Sequence, residues 1–80
     1  AMTLTILYFA QLAEERGAAQ ERLTGDYADL AALYNALHAQ HHFSLAQNQL
    51  RVARNQMFAE WTDAPQDGDE IAFIPPVSGG

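Results

Sequence analysis

The sequence predicts an α+β domain in which one main helix packs across a mixed β-sheet of about four to five strands. Residues 3–9 alternate in the manner of a strand, and residues 27–37 repeat apolar side chains at helical spacing. Residues 50–59 and 71–74 then return to strand-like patterns. A helix with a single apolar stripe must bury that stripe against another layer, so we expect two layers around one core.

The first element is a strand from Thr3 to Phe9, rich in β-branched and aromatic residues. Both of its faces are largely apolar, and we therefore expect a central strand that is covered on both sides. Residues 10–16 contain good helix formers, and Gly17 follows at the position of a C-cap. The pattern predicts one or two turns of helix with Leu12 facing inward.

The main helix follows a short, weakly strand-like segment at residues 20–24. Asp26 is the candidate N-cap, and we expect about four turns after it. Its stripe recurs at intervals of three and four residues and consists of Tyr27, Leu30, Leu33, Tyr34 and Leu37.

Three histidines, His38, His41 and His42, lie at the end of this helix at spacings that two metal-ligating imidazoles can have. No cysteine is present, and no carboxylate within the same turn completes a ligand set. A polar, solvated helix end is the favoured interpretation, so no metal site is predicted.

A hairpin and a final strand complete the domain. Residues 50–54 and 57–59 flank a tight turn at Asn55 and Gln56, and a loop then leads to the last strand at residues 71–74. The acidic turn at residues 67–70 precedes that strand, and we expect its charges just below the exit of the C-terminal tail.

The last six residues are predicted to form an extended, flexible tail. Pro75 and Pro76 cannot continue a sheet ladder, so the chain leaves the sheet after Ile74. Val77 and Ser78 lead to Gly79 and Gly80, whose lack of side chains suits a narrow channel. Ala1, which resembles a residue left from an expression tag, is excluded, and the domain is assigned to residues 2–74 with a tail at residues 75–80.

Composition excludes several function classes. The formal net charge is -6, which disfavours nucleic acid as a partner and favours proteins with basic surfaces. Without cysteine there is no thiol nucleophile or disulfide, and no apolar run is long enough to span a membrane. These features fit a cytoplasmic location. The four cationic side chains are all arginines, so the chain offers no lysine as an acceptor.

One helix cannot cover all the aromatic side chains on the sheet. We expect Phe9, Phe58, Phe73 and Ile74 to form a contact surface for another protein, continuous with the tail at Val77.

Three segments together resemble the small subunits of molybdopterin synthase, the MoaD family of ubiquitin-like sulfur carriers. They are residues 7–14 (Leu-Tyr-Phe-Ala-Gln-Leu-Ala-Glu), residues 52–56 (Val-Ala-Arg-Asn-Gln) and residues 67–80, which end in Phe-Ile-Pro-Pro-Val-Ser-Gly-Gly. The last segment is the specific one, and the resemblance spans nearly the whole chain. It implies a β-grasp (ubiquitin-like) fold.

The resemblance also implies a function. Gly80 would be adenylated by an E1-like enzyme that uses ATP, and a sulfur donor protein would help to convert it to a thiocarboxylate. The tail from Pro75 to Gly80 would then thread into the large subunit, where the sulfur passes to cyclic pyranopterin monophosphate to build the dithiolene of molybdopterin. The chain would bind no cofactor, would not be an enzyme on its own, and would form a heterotetramer of two small and two large subunits.

Three alternatives remain at this point. The sulfur carrier of thiamin thiazole synthesis has a similar fold, a similar diglycine end and the same activation chemistry. A ubiquitin-like modifier would attach Gly80 to lysines of target proteins. A non-covalent β-grasp binding module would leave its terminal glycines idle.

Overall fold

The computed structural model describes residues 1–77, and residues 78–80 lie outside the described part. The elements, in chain order, are β1 (Met2–Tyr8), α1 (Gln11–Arg16), β2 (Gln20–Gly25), α2 (Leu30–His41), a 3₁₀ turn (Gln47–Gln49), β3 (Arg51–Arg54), β4 (Met57–Ala59) and β5 (Glu70–Ile74). The predicted order of elements is confirmed.

The five strands form one mixed sheet in the order β2-β1-β5-β3-β4. The last strand, β5, lies in the middle, parallel to β1 and antiparallel to β3. The pairs β1–β2 and β3–β4 are antiparallel. The predicted α+β class, with one main helix against a mixed sheet, is therefore confirmed.

The helix α2 supplies the second layer of the core. Its buried side chains are Leu30, Leu33, Tyr34 and Leu37. Tyr34 meets Phe73 of β5 edge-on with ring centroids 5.0 Å apart, and its hydroxyl donates a hydrogen bond to the carbonyl of Leu45 at 2.7 Å. Burial raises the pKa of Tyr34 to about 12. Each fully buried apolar side chain of this size contributes about 1.5–3 kcal/mol to the hydrophobic stabilisation of the core.

The start of α2 differs from the prediction. Asp29 is the N-cap instead of Asp26, because its Oδ1 accepts a hydrogen bond from the amide of Ala32 at 2.8 Å. The amides of Leu30 and Ala31 donate to backbone carbonyls of the loop after β4, at 2.9 and 3.0 Å. That loop satisfies donors that a helix normally leaves unpaired at its start, so tertiary contacts place the helix terminus.

Phe43, predicted to lie in a connecting segment, is also part of the core. Its side chain is buried, and its ring stacks near Tyr34 with centroids 6.0 Å apart. The segment after α2 is therefore held by packing as well as by its 3₁₀ turn.

The strand β1 is covered on one face only, which corrects the prediction of two covered faces. Leu4, Ile6 and Tyr8 point toward α2 and are buried. Thr5 and Leu7 point to the other face and are only half-buried, because no described element packs over them.

The hairpin turn between β3 and β4 is confirmed and also fixes β5. Asn55 and Gln56 both have positive φ, 53° and 71°, as the tightest hairpin turns require. The side chain of Asn55 accepts a hydrogen bond from the amide of Glu70 at 2.9 Å and donates to Asp69 at 3.0 Å. The turn therefore holds the first residue of β5 in register.

The acidic turn does not lie near the tail, contrary to the prediction. It precedes Glu70, where β5 begins, whereas the tail leaves the opposite end of the strand after Ile74. The side chain of Asp67 accepts a hydrogen bond from the amide of Thr3, which fastens the turn to β1, and Asp69 accepts one from the amide of Gln66 within the turn.

A strained turn connects β1 to α1. Ala10 has φ 51° and ψ -123°, and the amide of Leu12 donates to the carbonyl of Phe9 at 3.1 Å across it. A backbone of this kind favours glycine, because a Cβ is crowded at positive φ. The turn directs Phe9 to the open side of the sheet.

The substitution Ala10→Gly is expected to raise the free energy of unfolding by about 1 kcal/mol, because it removes the cost of a side chain at positive φ. Urea denaturation measures this change. The matched control is Ala36→Gly at an exposed position of α2, which should lower the same free energy by about 1 kcal/mol. Destabilisation by both changes would contradict the assignment of strain to Ala10.

A charged cluster fastens α1 to β2 and to the end of β1. The guanidinium of Arg16 donates to both carboxylate oxygens of Glu21, at 3.1 and 3.0 Å, and the hydroxyl of Tyr8 donates to the same carboxylate. Nε2 of His41 lies 3.8 Å from it. The hydrogen bond from Arg16 lowers the pKa of Glu21, and burial raises the pKa of Tyr8.

The substitution Glu21→Gln is expected to lower the free energy of unfolding at pH 7 by about 1–2 kcal/mol, since Arg16 and Tyr8 lose a charged acceptor. A carboxylate with a lowered pKa stabilises the fold above its unfolded-state value of 4.5, and this stabilisation is lost as pH falls through the lower folded-state value. The difference between wild type and variant should therefore vanish in acid.

Urea denaturation at several pH values checks this, with Glu14→Gln, an exposed position of α1, as the control. The control should change stability by less than about 0.5 kcal/mol. Equal stability of wild type and the Glu21 variant at pH 7 would contradict the role given to the cluster.

Candidate functional site

The face of the sheet opposite α2, here called the open face, is lined by alternate residues of the strands. Register places Leu7 of β1 beside Ala72 of β5, Ala72 beside Ala53 of β3, and Ala53 beside Phe58 of β4. These residues therefore form one apolar row across the sheet. No described element covers it.

A shallow apolar groove of about 200 Å³ lies on this row. The alanines at positions 53 and 72 form its floor because their side chains are short, and larger side chains rise on either side. Phe9 is 46% exposed and Phe58 is 62% exposed, which is costly for aromatic rings in water. The groove has the form of a surface that another molecule covers.

A second concavity, of about 500 Å³, lies at the root of the tail. It is lined by Phe9, Ala10 and Gln11 from the strained turn and by residues 74–77 from the end of β5. Phe9 and Ile74 line both concavities, so the groove and the tail root form one continuous surface. Whatever covers the open face therefore also meets the beginning of the tail.

Three of the four predicted interface residues lie on this surface, and the fourth does not. Phe9 and Phe58 are exposed and Ile74 is half-exposed. Phe73 is fully buried, stacked on Trp61 with centroids 6.0 Å apart. The prediction for Phe73 is wrong, because its register beside Val52 and Tyr8 turns its ring toward α2. The role of the other three as contacts stays a prediction.

The predicted tail residues leave the sheet where expected. Pro75, Pro76 and Val77 have no strand pairing, and Val77 is 93% exposed. Ser78, Gly79 and Gly80 lie outside the described residues. The carrier role of Gly80 and the threading of residues 75–80 into a partner stay predictions.

The carboxylates of Glu15 and Glu21 are held by hydrogen bonds within the fold. Glu21 is engaged by Arg16, and Glu15 accepts hydrogen bonds from the backbone and side chain of Ser44, which lower its pKa. Within the same range no group of three or more metal-ligating side chains comes together, and no helix is long and apolar enough to cross a membrane.

Four residues of the open face are not predicted from the sequence. Leu7, Ala53 and Ala72 form the row and floor of the groove, and the guanidinium carbon of Arg51 lies 3.6 Å from the centroid of the Phe58 ring. Alternation within each strand shows which of its side chains share a face. The pairing register between strands, which brings them together, carries no signal in a single sequence.

Comparison with known proteins assigns the chain to a family. The model of the ThiS family matches residues 6–80. The molybdopterin synthase sulfur carrier subunit of Escherichia coli (strain K12) is 34% identical over 80 residues, which cover 96% of this chain and 99% of that protein.

Solved structures agree with the fold. SAMP1 from Haloferax volcanii superposes with a TM-score of 0.78 at 31% identity, covering 98% of this chain and 99% of that one. One chain of the complex of subunits 1 and 2 of molybdopterin-converting factor from Helicobacter pylori 26695 superposes with a TM-score of 0.70 at 21% identity. The match covers 99% of this chain and 100% of that one. The expected β-grasp, ubiquitin-like fold is confirmed.

Proposed function

Because the chain belongs to the ThiS family and is similar to molybdopterin synthase sulfur carrier subunits, we propose that it is the sulfur carrier subunit of a molybdopterin synthase. The observation that carries this proposal is identity of 34% to such a subunit over almost the whole of both chains. The apolar open face and the exit of the tail beside it are the features that such a subunit needs.

The chemistry resides in Gly80 as the terminal residue. Its carboxylate attacks the α-phosphorus of ATP on an E1-like enzyme and releases pyrophosphate, which leaves an acyl-adenylate. A sulfide equivalent from a donor protein then displaces AMP at the acyl carbon, so that sulfur replaces one carboxylate oxygen. The resulting thiocarboxylate is anionic at neutral pH and offers a soft nucleophile.

Delivery follows from the position of the tail. The open face docks on the large subunit, and residues 75–80 extend from the same edge into the active site of that subunit. There the sulfur is transferred to cyclic pyranopterin monophosphate, and two such deliveries form the dithiolene of molybdopterin. The tail contributes proximity, since it holds the reacting sulfur in place inside another protein.

Catalytic groups belong to the large subunit in this proposal. The described part of the chain has no acid-base pair near the tail, and its charged clusters hold the fold together. The chain binds no cofactor of its own and acts in the cytoplasm, within a heterotetramer of two small and two large subunits.

Tail length tests the proposal. One glycine added after Gly80 should lower sulfur transfer by about 100-fold or more, because it moves the reacting atom past the position that the docked fold dictates. Both proteins are prepared with a thiocarboxylate on the last residue, which removes any effect on activation. Molybdopterin formed with the large subunit and the pterin precursor is measured.

The matched control carries the extra glycine before Ala1, far from the site, and should transfer sulfur like the wild type. Affinity for the large subunit should be nearly the same for all three proteins. Full transfer by the protein extended after Gly80 would contradict the delivery of sulfur by a threaded tail.

A second candidate function is attachment to other proteins. It is favoured by the similarity to SAMP1 at 31% identity, since a related structure from the same organism is described as a small archaeal modifier protein. A modifier would form isopeptide-linked species in cells through Gly80, whereas a carrier would not. Pull-down of the tagged chain under denaturing conditions, with a variant lacking Gly80 as control, separates the two.

Sulfur delivery to thiamin thiazole synthesis uses the same activation chemistry and is separated by complementation. The proposal predicts rescue of molybdoenzyme activity in a strain that lacks its own carrier subunit. Rescue of a thiamin auxotroph without rescue of molybdoenzyme activity would assign the chain to the thiazole pathway instead.

A further inference from the structure

Arg51 lies on the open face, beside a groove whose lining is mainly apolar and also includes Gln56 and Glu70. Arg51 of β3 is exposed and pairs across the strands with Ile74 of β5, so it stands directly at the rim of the groove. Its guanidinium carbon lies 3.6 Å from the centroid of the Phe58 ring on β4. Both side chains are therefore held against each other before any partner arrives.

The other arginines do not share this position. Arg16 is engaged by Glu21, and Arg54 donates to the backbone carbonyl of Ala64 at 3.0 Å. Arg22 is exposed on β2, at the far edge of the same face. Among residues 1–77, Arg51 forms no ion pair. Its neighbours on the open face, Ile74 and Phe58, both line the groove.

No residue between positions 1 and 77 accepts a hydrogen bond from the guanidinium of Arg51. The N–H donors of a guanidinium lie in its plane, so a guanidinium on an aromatic ring keeps those donors directed outward. A carboxylate can accept two of them in parallel. Docking of the open face would also remove Arg51 from water, and a cation covered in an apolar contact is costly unless an anion pairs with it.

From this geometry we infer that the Arg51–Phe58 pair recognises a carboxylate side chain of the large subunit. In the docked complex, that carboxylate would lie opposite the β3–β4 edge of the open face. The inference rests on the proposed function for the identity of the partner. The net charge of -6 favours a partner surface that is basic elsewhere. A single acidic group opposite Arg51 therefore fixes the orientation of docking and rejects surfaces without it.

The test measures binding of the full chain to the purified large subunit of the same organism by calorimetry. Arg51→Gln should weaken binding about tenfold in about 0.05 M NaCl, and the difference should shrink in about 0.5 M NaCl because salt screens an ion pair. Arg22→Gln, which removes an exposed charge from the same face at the far edge, is the matched control. It should change the affinity by less than about twofold.

A charge-reversal pair distinguishes recognition of a carboxylate by Arg51 from a purely structural role of this residue. Arg51→Glu should bind more weakly than Arg51→Gln, and one Asp→Arg or Glu→Arg change on the large subunit should restore its binding. Thermal unfolding and circular dichroism of each variant establish that it is folded.

Each remaining outcome counts against a specific claim. If Arg51→Gln and Arg22→Gln bind equally well, or if no reversal on the large subunit restores binding of Arg51→Glu, the recognition of a carboxylate is wrong while the proposed function stands. If the wild-type chain does not bind the large subunit at all, the proposed partner is wrong, and this inference falls with it.

Discussion

The position of β5 between β1 and β3 is the constraint on which the rest of the structure depends. This last strand of the chain pairs on both sides, so its two faces and its end acquire different roles. Ile71 and Phe73 enter the core beneath α2, whereas Ala72 and Ile74 line the open face. After Ile74 the prolines end the strand pairing. Because β5 is paired on both sides, the point at which the tail begins is fixed relative to the open face.

This arrangement separates stability from function. Side chains toward α2 are closely packed and buried, with the ring of Tyr34 in contact with Phe73 and Phe43. On the opposite face, Ala53 and Ala72 are short and buried, whereas Phe9 and Phe58 are exposed and therefore accessible to a partner. In the proposed function, the partner would supply the enclosed site and this chain would supply the carrier.

The sequence predicted the elements better than it predicted their contacts. Gly17 and the Asn55–Gln56 turn carry local signals for a helix end and a hairpin, and both lie where expected. The start of α2 was misplaced because backbone carbonyls from the loop after β4, about thirty residues later, satisfy its first amides. The predicted surface position of Phe73 is wrong because only the register of β5 against β1 and β3 determines which face its ring occupies. The contact between Arg51 and Phe58 likewise depends on the pairing register, here that of β3 and β4.

The central claim is that Gly80 carries sulfur, and an intact-mass measurement tests it most directly. The chain is incubated with ATP, an E1-like activating enzyme and a sulfur donor, beside a variant that lacks Gly80. The account predicts that the mass rises by the difference between one sulfur and one oxygen atom, and only when Gly80 is present. An unchanged mass, obtained with an activating enzyme shown to work on a known carrier, would contradict the account and favour a non-covalent binding module.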